Sequence, residues 1–137
     1  MITWTKHFYL EEVMPKGYTD VSWLNPKLGE LMEAVREVVG PIVVNDYIFG
    51  GNRQWRGLRL SFCPEWSVGS QHSFLGKGRH LCSAFDGIPT KMSAKEAREK
   101  LLKADIPLLG RMEDKVNWLH CDLGPRKNGE IYLFSKG

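Results

Sequence analysis

The sequence predicts an α+β fold in which helices pack on one face of a small, mainly antiparallel sheet. Two stretches carry helical apolar spacing with capping residues at their starts, and short β-like runs lie around them, bounded by turn residues. Their order along the chain is helix, strand, loop, strand, helix, hairpin, the arrangement of segregated helices and strands rather than of an alternating parallel sheet.

The first element is short. From His7 to Met14, Phe8, Leu10, Val13 and Met14 gather on one side of a helical turn that Pro15-Lys16-Gly17 ends. The first full helix begins at Asn25, whose side chain suits the cap, with Pro26 at the first helical position where a missing N–H is no loss. Leu28, Leu31, Met32, Val35, Val38 and Val39 then recur at three- and four-residue steps and form a core-facing stripe, and Gly40-Pro41 stops the helix. Ile42 to Ile48 is β-branched and reads as a strand interrupted by Asn45 and Asp46. The glycine-, arginine- and aromatic-rich stretch from Gly50 to Gly69 has no period and reads as a loop wrapped over a site. Ser93-Ala94-Lys95-Glu96 is a capping box, and Ala94, Ala97, Leu101 and Leu102 give the second helix, about 93 to 104, its apolar face before Pro107. Asn117 to Leu123 and Glu130 to Phe134 are β-like runs joined through Asn128-Gly129, which predicts an antiparallel hairpin.

Composition narrows the function classes. The 137 residues make a single domain, 1–137, by the usual size range, large enough to bury a real core. A net charge of +3 is spread as mixed charges without a basic stripe, so nucleic acid is not an expected partner. Neither a signal peptide pattern nor an apolar run long enough for a membrane span is present, so no membrane partner is expected and synthesis is placed in the cytoplasm. Cys63, Cys82 and Cys121 are odd in number and lack C-x-x-C spacing, which argues for buried thiols rather than a disulfide framework.

Chemistry concentrates between Ser70 and Asp86 and again at Trp118 to Asp122. His72, Asp86 and His120 make two imidazoles and a carboxylate, a set that a catalytic zinc uses while keeping a fourth position for water. On spacing alone three ordinary polar residues are the commoner reading, and a closed structural site completed by Cys82 or Cys121 is a third.

The pieces Ser70-Gln71-His72, Gly76, Ala84-Phe85-Asp86 and Trp118-Leu119-His120-Cys121-Asp122 resemble the Ser-x-His-x-x-Gly-x-Ala-x-Asp and Trp-x-His-x-Asp motifs of the zinc D-alanyl-D-alanine carboxypeptidase family. That family includes phage endolysins that cut L-alanyl-D-glutamate bonds and shares its fold with the hedgehog signalling domain. Upstream, LGELMEAVREVVG followed by PIVVNDY and a Gly/Arg loop is similar to the short phage and prophage members, so the likeness runs from about His7 to Asp122. The resemblance implies a hedgehog/DD-peptidase-like fold and Zn2+ held by His72, Asp86 and His120. It implies hydrolysis of peptidoglycan stem peptides by a zinc-bound water, at the cell wall after release or as a virion component.

Two departures set the questions. The family's first histidine and aspartate are seven residues apart, whereas His72 and Asp86 are fourteen apart, so either LGKGRHLC bulges out or His80 replaces His72. Where many members place a glutamate three residues before the last histidine, this chain has Asn117, and Glu113 is the candidate base, with Asp114 beside it. Arg59 falls where members carry an arginine that binds a substrate carbonyl or carboxylate. Asp122 shares a strand face with His120 and is placed to orient it. The second reading, from the Asn117 departure, is a non-catalytic cell-wall- or protein-binding module that keeps the fold.

Overall fold

A computed structural model describes residues 1–75 and 80–135; the glycines at 76 and 78, expected to let the insertion bulge, lie outside the described residues. The expected α+β architecture is present, as two helices and a five-stranded sheet in the order β1-β2-β4-β3-β5. The strands are β1 (Ile42–Val43), β2 (Ala84–Pro89), β3 (Arg111–Glu113), β4 (Leu119–Asp122) and β5 (Tyr132–Phe134). Every pairing is antiparallel except β3 with β5, so the sheet is mixed.

Helix α1 spans Pro26–Val39. The Asn25 side chain accepts the Lys27 N–H at 2.9 Å, and Gly40, at φ +82°, donates its N–H to the Arg36 carbonyl and turns the chain out of the helix. Leu28, Leu31, Met32, Val35 and Val39 are buried as the spacing predicts, each contributing about 1.5–3 kcal/mol of transfer free energy. Helix α2 spans Ala94–Ala104, with the Ser93 hydroxyl taking the Glu96 N–H at 3.1 Å. One part of its expected apolar face is corrected: Leu102 is exposed, and Arg98 takes an inward position instead. Arg98 bridges to the Trp118 carbonyl at 3.1 Å and to Asp114. Its long methylene stem packs while the guanidinium finds oxygen partners, which lets a charged residue serve there.

Alternation along the strands sorts the sheet into two faces. Phe85, Cys121 and Met112 pair across β2, β4 and β3 and join the core built with both helices. Asp86 pairs with His120 and Arg111 with Asp122, and these side chains point to the opposite face. One further step of the β3/β4 register sets Glu113 across from His120, so Asp86, His120 and Glu113 lie in a single row over three strands. The loop from 50 to 75 is stitched to this side. The Asp86 N–H donates to the Arg56 carbonyl at 2.7 Å, Leu58 N–H to Val13, and Arg59 N–H to the His72 carbonyl at 3.0 Å.

Three expected elements differ. The strand expected from Ile42 to Ile48 ends at Val43. Asn45, fully buried, turns its amide onto the Met14 and Glu11 carbonyls and accepts from the Arg56 N–H, and Tyr47–Phe49 is a 3-10 turn. A continued strand would leave that amide without these partners. The expected hairpin of 117–123 with 130–134 does not form. Asn128-Gly129 does make its tight turn, both at positive φ, with Lys127 and Glu130 bridged across it. Both edges of β4, however, are taken by β2 and β3, so β5 crosses over and pairs parallel with β3. Glu113, expected in a turn, sits in strand β3.

Candidate metal centre

His72 lies just before the 76–79 segment, in a loop, and two contacts fix it. Its N–H bonds to the Ser70 hydroxyl at 3.2 Å, and its Nδ1 meets the Gly57 carbonyl at 2.8 Å. A carbonyl only accepts, so Nδ1 carries the proton and the Nε2 lone pair is aimed inward. There it stands 3.3 Å from Asp86 Oδ1 and 3.3 Å from His120 Nδ1. Asp86 Oδ1 is 2.8 Å from His120 Nδ1, which closes the triangle. His120 in turn holds Asp122 Oδ2 through Nε2 at 2.8 Å. Three atoms about 2.05 Å from one ion at tetrahedral angles stand about 3.3 Å apart, a separation that two of the three edges have, while the third, at 2.8 Å, is a direct hydrogen bond. Among the described residues this is the one grouping of histidine, cysteine and acidic side chains with metal-ligand proximity, and it can hold a metal ion.

Around the triangle lies a second ring of contacts. Asp122, with no exposure, accepts Arg111 Nε and Nη2 at 3.0 and 2.9 Å and the Gly124 N–H at 2.8 Å. Phe134 sets its ring edge-on to His120, 5.4 Å between centroids, with the Arg111 guanidinium over its other side. Arg59, 6% exposed, donates Nη2 to Asp86 Oδ2 at 3.0 Å and Nε to the Trp55 carbonyl at 2.8 Å. The same Nη2 reaches Glu65 Oε2 at 3.1 Å. Such outer partners fix tautomers and ring orientations and so prearrange the ligands.

Electrostatics follow from this geometry. Burial opposes charge on His120, but the hydrogen bonds it donates to Asp122 and Asp86 outweigh it and raise the imidazolium pKa to about 9. For His72 burial wins over the attraction of Asp86 and lowers the pKa, so this ring is neutral at pH 7. Burial would raise Asp86, yet the two histidines hold it far below the usual carboxylate range. Asp122 is likewise held low against its burial by His120 and Arg111.

The structure therefore brings together His72, Asp86 and His120, the set their residue types suggested, with Asp122 behind His120; Arg59, expected toward a substrate, holds Asp86. His80 is not in the group; its carbonyl accepts the Leu75 N–H, and its buried Nε2 has no hydrogen-bond partner among the described residues. Glu113 is 6% exposed, on the cluster's face, paired in the β3/β5 ladder, and its carboxylate makes no hydrogen bond or ion pair among the described residues. Asn117 is exposed in the turn before β4. Closure of the site by a thiol is corrected. Cys121 points to the helix-side core and Cys82 is buried there too, its Sγ toward the Ala84 carbonyl. Burial pushes the Cys82 thiol up to about 12 and Cys121 well above its ordinary value, so both are neutral thiols in the metal-free chain. Gly57, Arg111, Glu65 and Phe134 were not anticipated. The alternation Arg111-Met112-Glu113 carried a signal for the second; a glycine that serves through its carbonyl carries none.

Fold and site together define a small α+β domain with a buried His-Asp-His group on the sheet face away from its helices. No family model matches the chain, and neither a curated protein nor a solved structure matches it. No helix among the described residues is long and apolar enough to cross a membrane.

Proposed function

We propose that this protein is a zinc-dependent peptidase of phage or prophage type that hydrolyses peptide bonds in bacterial peptidoglycan stem peptides. The observation that carries the reading is the triangle of ligand atoms His72 Nε2, Asp86 Oδ1 and His120 Nδ1, each backed by its own outer partner. Two nitrogens and one oxygen at this spacing suit zinc and leave a coordination position without a protein ligand, as hydrolytic sites do. The motif order Ser-Gln-His, Ala-Phe-Asp, Trp-Leu-His-Cys-Asp supports the substrate class and the hedgehog/DD-peptidase-like fold by its resemblance to the carboxypeptidase family.

When bound, zinc supplies a Lewis acid that activates water and polarises the scissile carbonyl. The chain's own groups supply the rest. Glu113, across from His120 and without another partner, accepts the proton that the attacking water loses and returns it to the departing amine nitrogen. Its position fills the place that Asn117, an amide, cannot serve. Arg59 holds Asp86 in its one-oxygen orientation and presents positive charge beside the reacting carbonyl. Asp122 and the Gly57 carbonyl keep the two rings aimed.

The test is release of new amino groups from purified peptidoglycan, with and without chelator, alongside metal analysis of the purified protein. Chelator-sensitive release with one zinc per chain is expected. Zinc retention with no cleavage would replace the peptidase with a non-catalytic wall-binding module, and absence of bound metal would sink both the zinc and the hydrolysis.

A further inference from the structure

We propose that Glu65 is a built-in competitor of the substrate: its carboxylate occupies Arg59 in the free protein and must leave when a substrate carboxylate binds. This rests on the peptidase reading for the identity of the substrate, a stem peptide with a free carboxylate close to the scissile bond. The contact itself is independent of that reading.

Arg59 is an unusual partner for a surface acid. Its side chain is 8% exposed, yet it meets Glu65, 68% exposed, through the same Nη2 that holds Asp86. One nitrogen thus bridges the metal-ligand carboxylate and a solvent-facing one, and the two oxygens it holds are at most about 6 Å apart. A buried arginine anchored on two sides, by Asp86 and by the Trp55 carbonyl, is a prearranged anion receptor whose third contact, Glu65, is the solvent-exposed one. Glu65 demonstrates that a carboxylate fits that side. Glu65 itself is held weakly: its side chain has no second partner among the described residues, and an exposed ion pair contributes only about 0.2–1 kcal/mol. It is therefore displaceable by a ligand that brings contacts of its own.

Such contacts lie alongside. Trp55, whose carbonyl anchors Arg59, packs its ring edge-on to Phe62 at 5.4 Å, and the rings continue through Tyr18 and Trp23 to Phe74. Phe62 is 60% exposed, so this aromatic wall presents surface to a ligand whose carboxylate sits on Arg59. An entering peptide exchanges one carboxylate for another at Arg59 and adds apolar contact, which gives the exchange its direction.

The experiment is titration of acetyl-D-alanine and of its uncharged amide into the zinc-loaded protein, followed by NMR of the tryptophan indole N–H signals. Wild type and Glu65→Gln are compared. The neutral variant should bind acetyl-D-alanine about 2- to 5-fold more tightly, the ratio that removal of an exposed ion pair allows, with its affinity for the amide unchanged. Glu65→Asp, which restores the charge on a shorter stem, should fall between them. Equal affinity in wild type and Glu65→Gln, at equal melting temperature, would overturn the proposal, as would equal tightening for acid and amide. The two readings separate cleanly. Tightening by Glu65→Gln in a protein that cleaves no peptidoglycan keeps the competitor and removes the peptidase; cleavage with no effect of Glu65→Gln does the reverse.

Discussion

Metal binding at pH 7 should release about one proton per ion, and that proton comes from His120. In the metal-free protein the imidazolium of His120, at about 9, lies some two pH units above neutrality and is about 99% protonated at pH 7. A ligand nitrogen must give up its proton to the metal, so His120 releases it on binding. The other two ligands contribute nothing, because burial has already left His72 neutral and the histidines keep Asp86 ionised. Apparent affinity should accordingly rise about tenfold per pH unit from 7 to 8 and level off above about 9. Calorimetric titration of zinc into chelator-stripped protein, in two buffers of different ionisation enthalpy, counts the protons. The stability of the metal-free fold must run the other way. A histidine whose folded pKa is raised contributes stability fully present below its unfolded value near 6.5 and lost as pH rises through about 9. That loss is on the order of 3 kcal/mol, read as a falling melting temperature between pH 7 and 9.5. Stoichiometric binding at pH 7 with no proton released would show that His120 enters the free site neutral. The account of Asp86 and Asp122 as its charge partners would then be wrong.

Further expectations concern individual side chains. Glu113→Gln should keep one zinc per chain in metal analysis while peptidoglycan hydrolysis falls about 10²- to 10⁴-fold, the range for loss of a general base; full activity would clear Glu113 of the role. His72→Ala should lose zinc on dialysis, and His80→Ala should retain it; the reverse pattern would move the ligand to His80. Asp122→Asn removes the charge behind His120 Nε2 and should weaken zinc about 10- to 100-fold in a competition assay with a chromophoric chelator. A methyl at Gly57 would collide with the Val13 backbone, so Gly57→Ala should destabilise the fold by about 1–3 kcal/mol in denaturant titration. It should loosen zinc as well, because the displaced carbonyl holds His72.

The helices were legible because each carries several independent signals at once. In α1, a cap, a proline at the first position, a stripe and a terminal glycine all agree on the same limits. The grouping of His72, Asp86 and His120 was legible through residue type rather than spacing, since Asp86 and His120 meet only when β2 and β4 pair in a register that no local pattern states. Strand β3 was hidden because three residues with one apolar member give no measurable period. The Asn-Gly turn was read correctly and its strand partner wrongly. Turn chemistry is local, whereas the choice of β5's neighbour depends on β4 having no free edge. Gly57 and Glu65 act through a carbonyl and through a long-range ion pair, contacts that composition does not encode.

The odd and even residues of β4 have separate duties: Leu119 and Cys121 fill the core, and His120 and Asp122 build the site. A shift of β4 by one residue against β2 would drive an imidazole and a carboxylate into the apolar layer and turn a thiol toward the cluster. The metal-binding group therefore exists only in one pairing of the strands. Because an ion that binds only that pairing stabilises it by mass action, a metal bound there would act as a proofreader of strand alignment and draw slipped forms back to the native one.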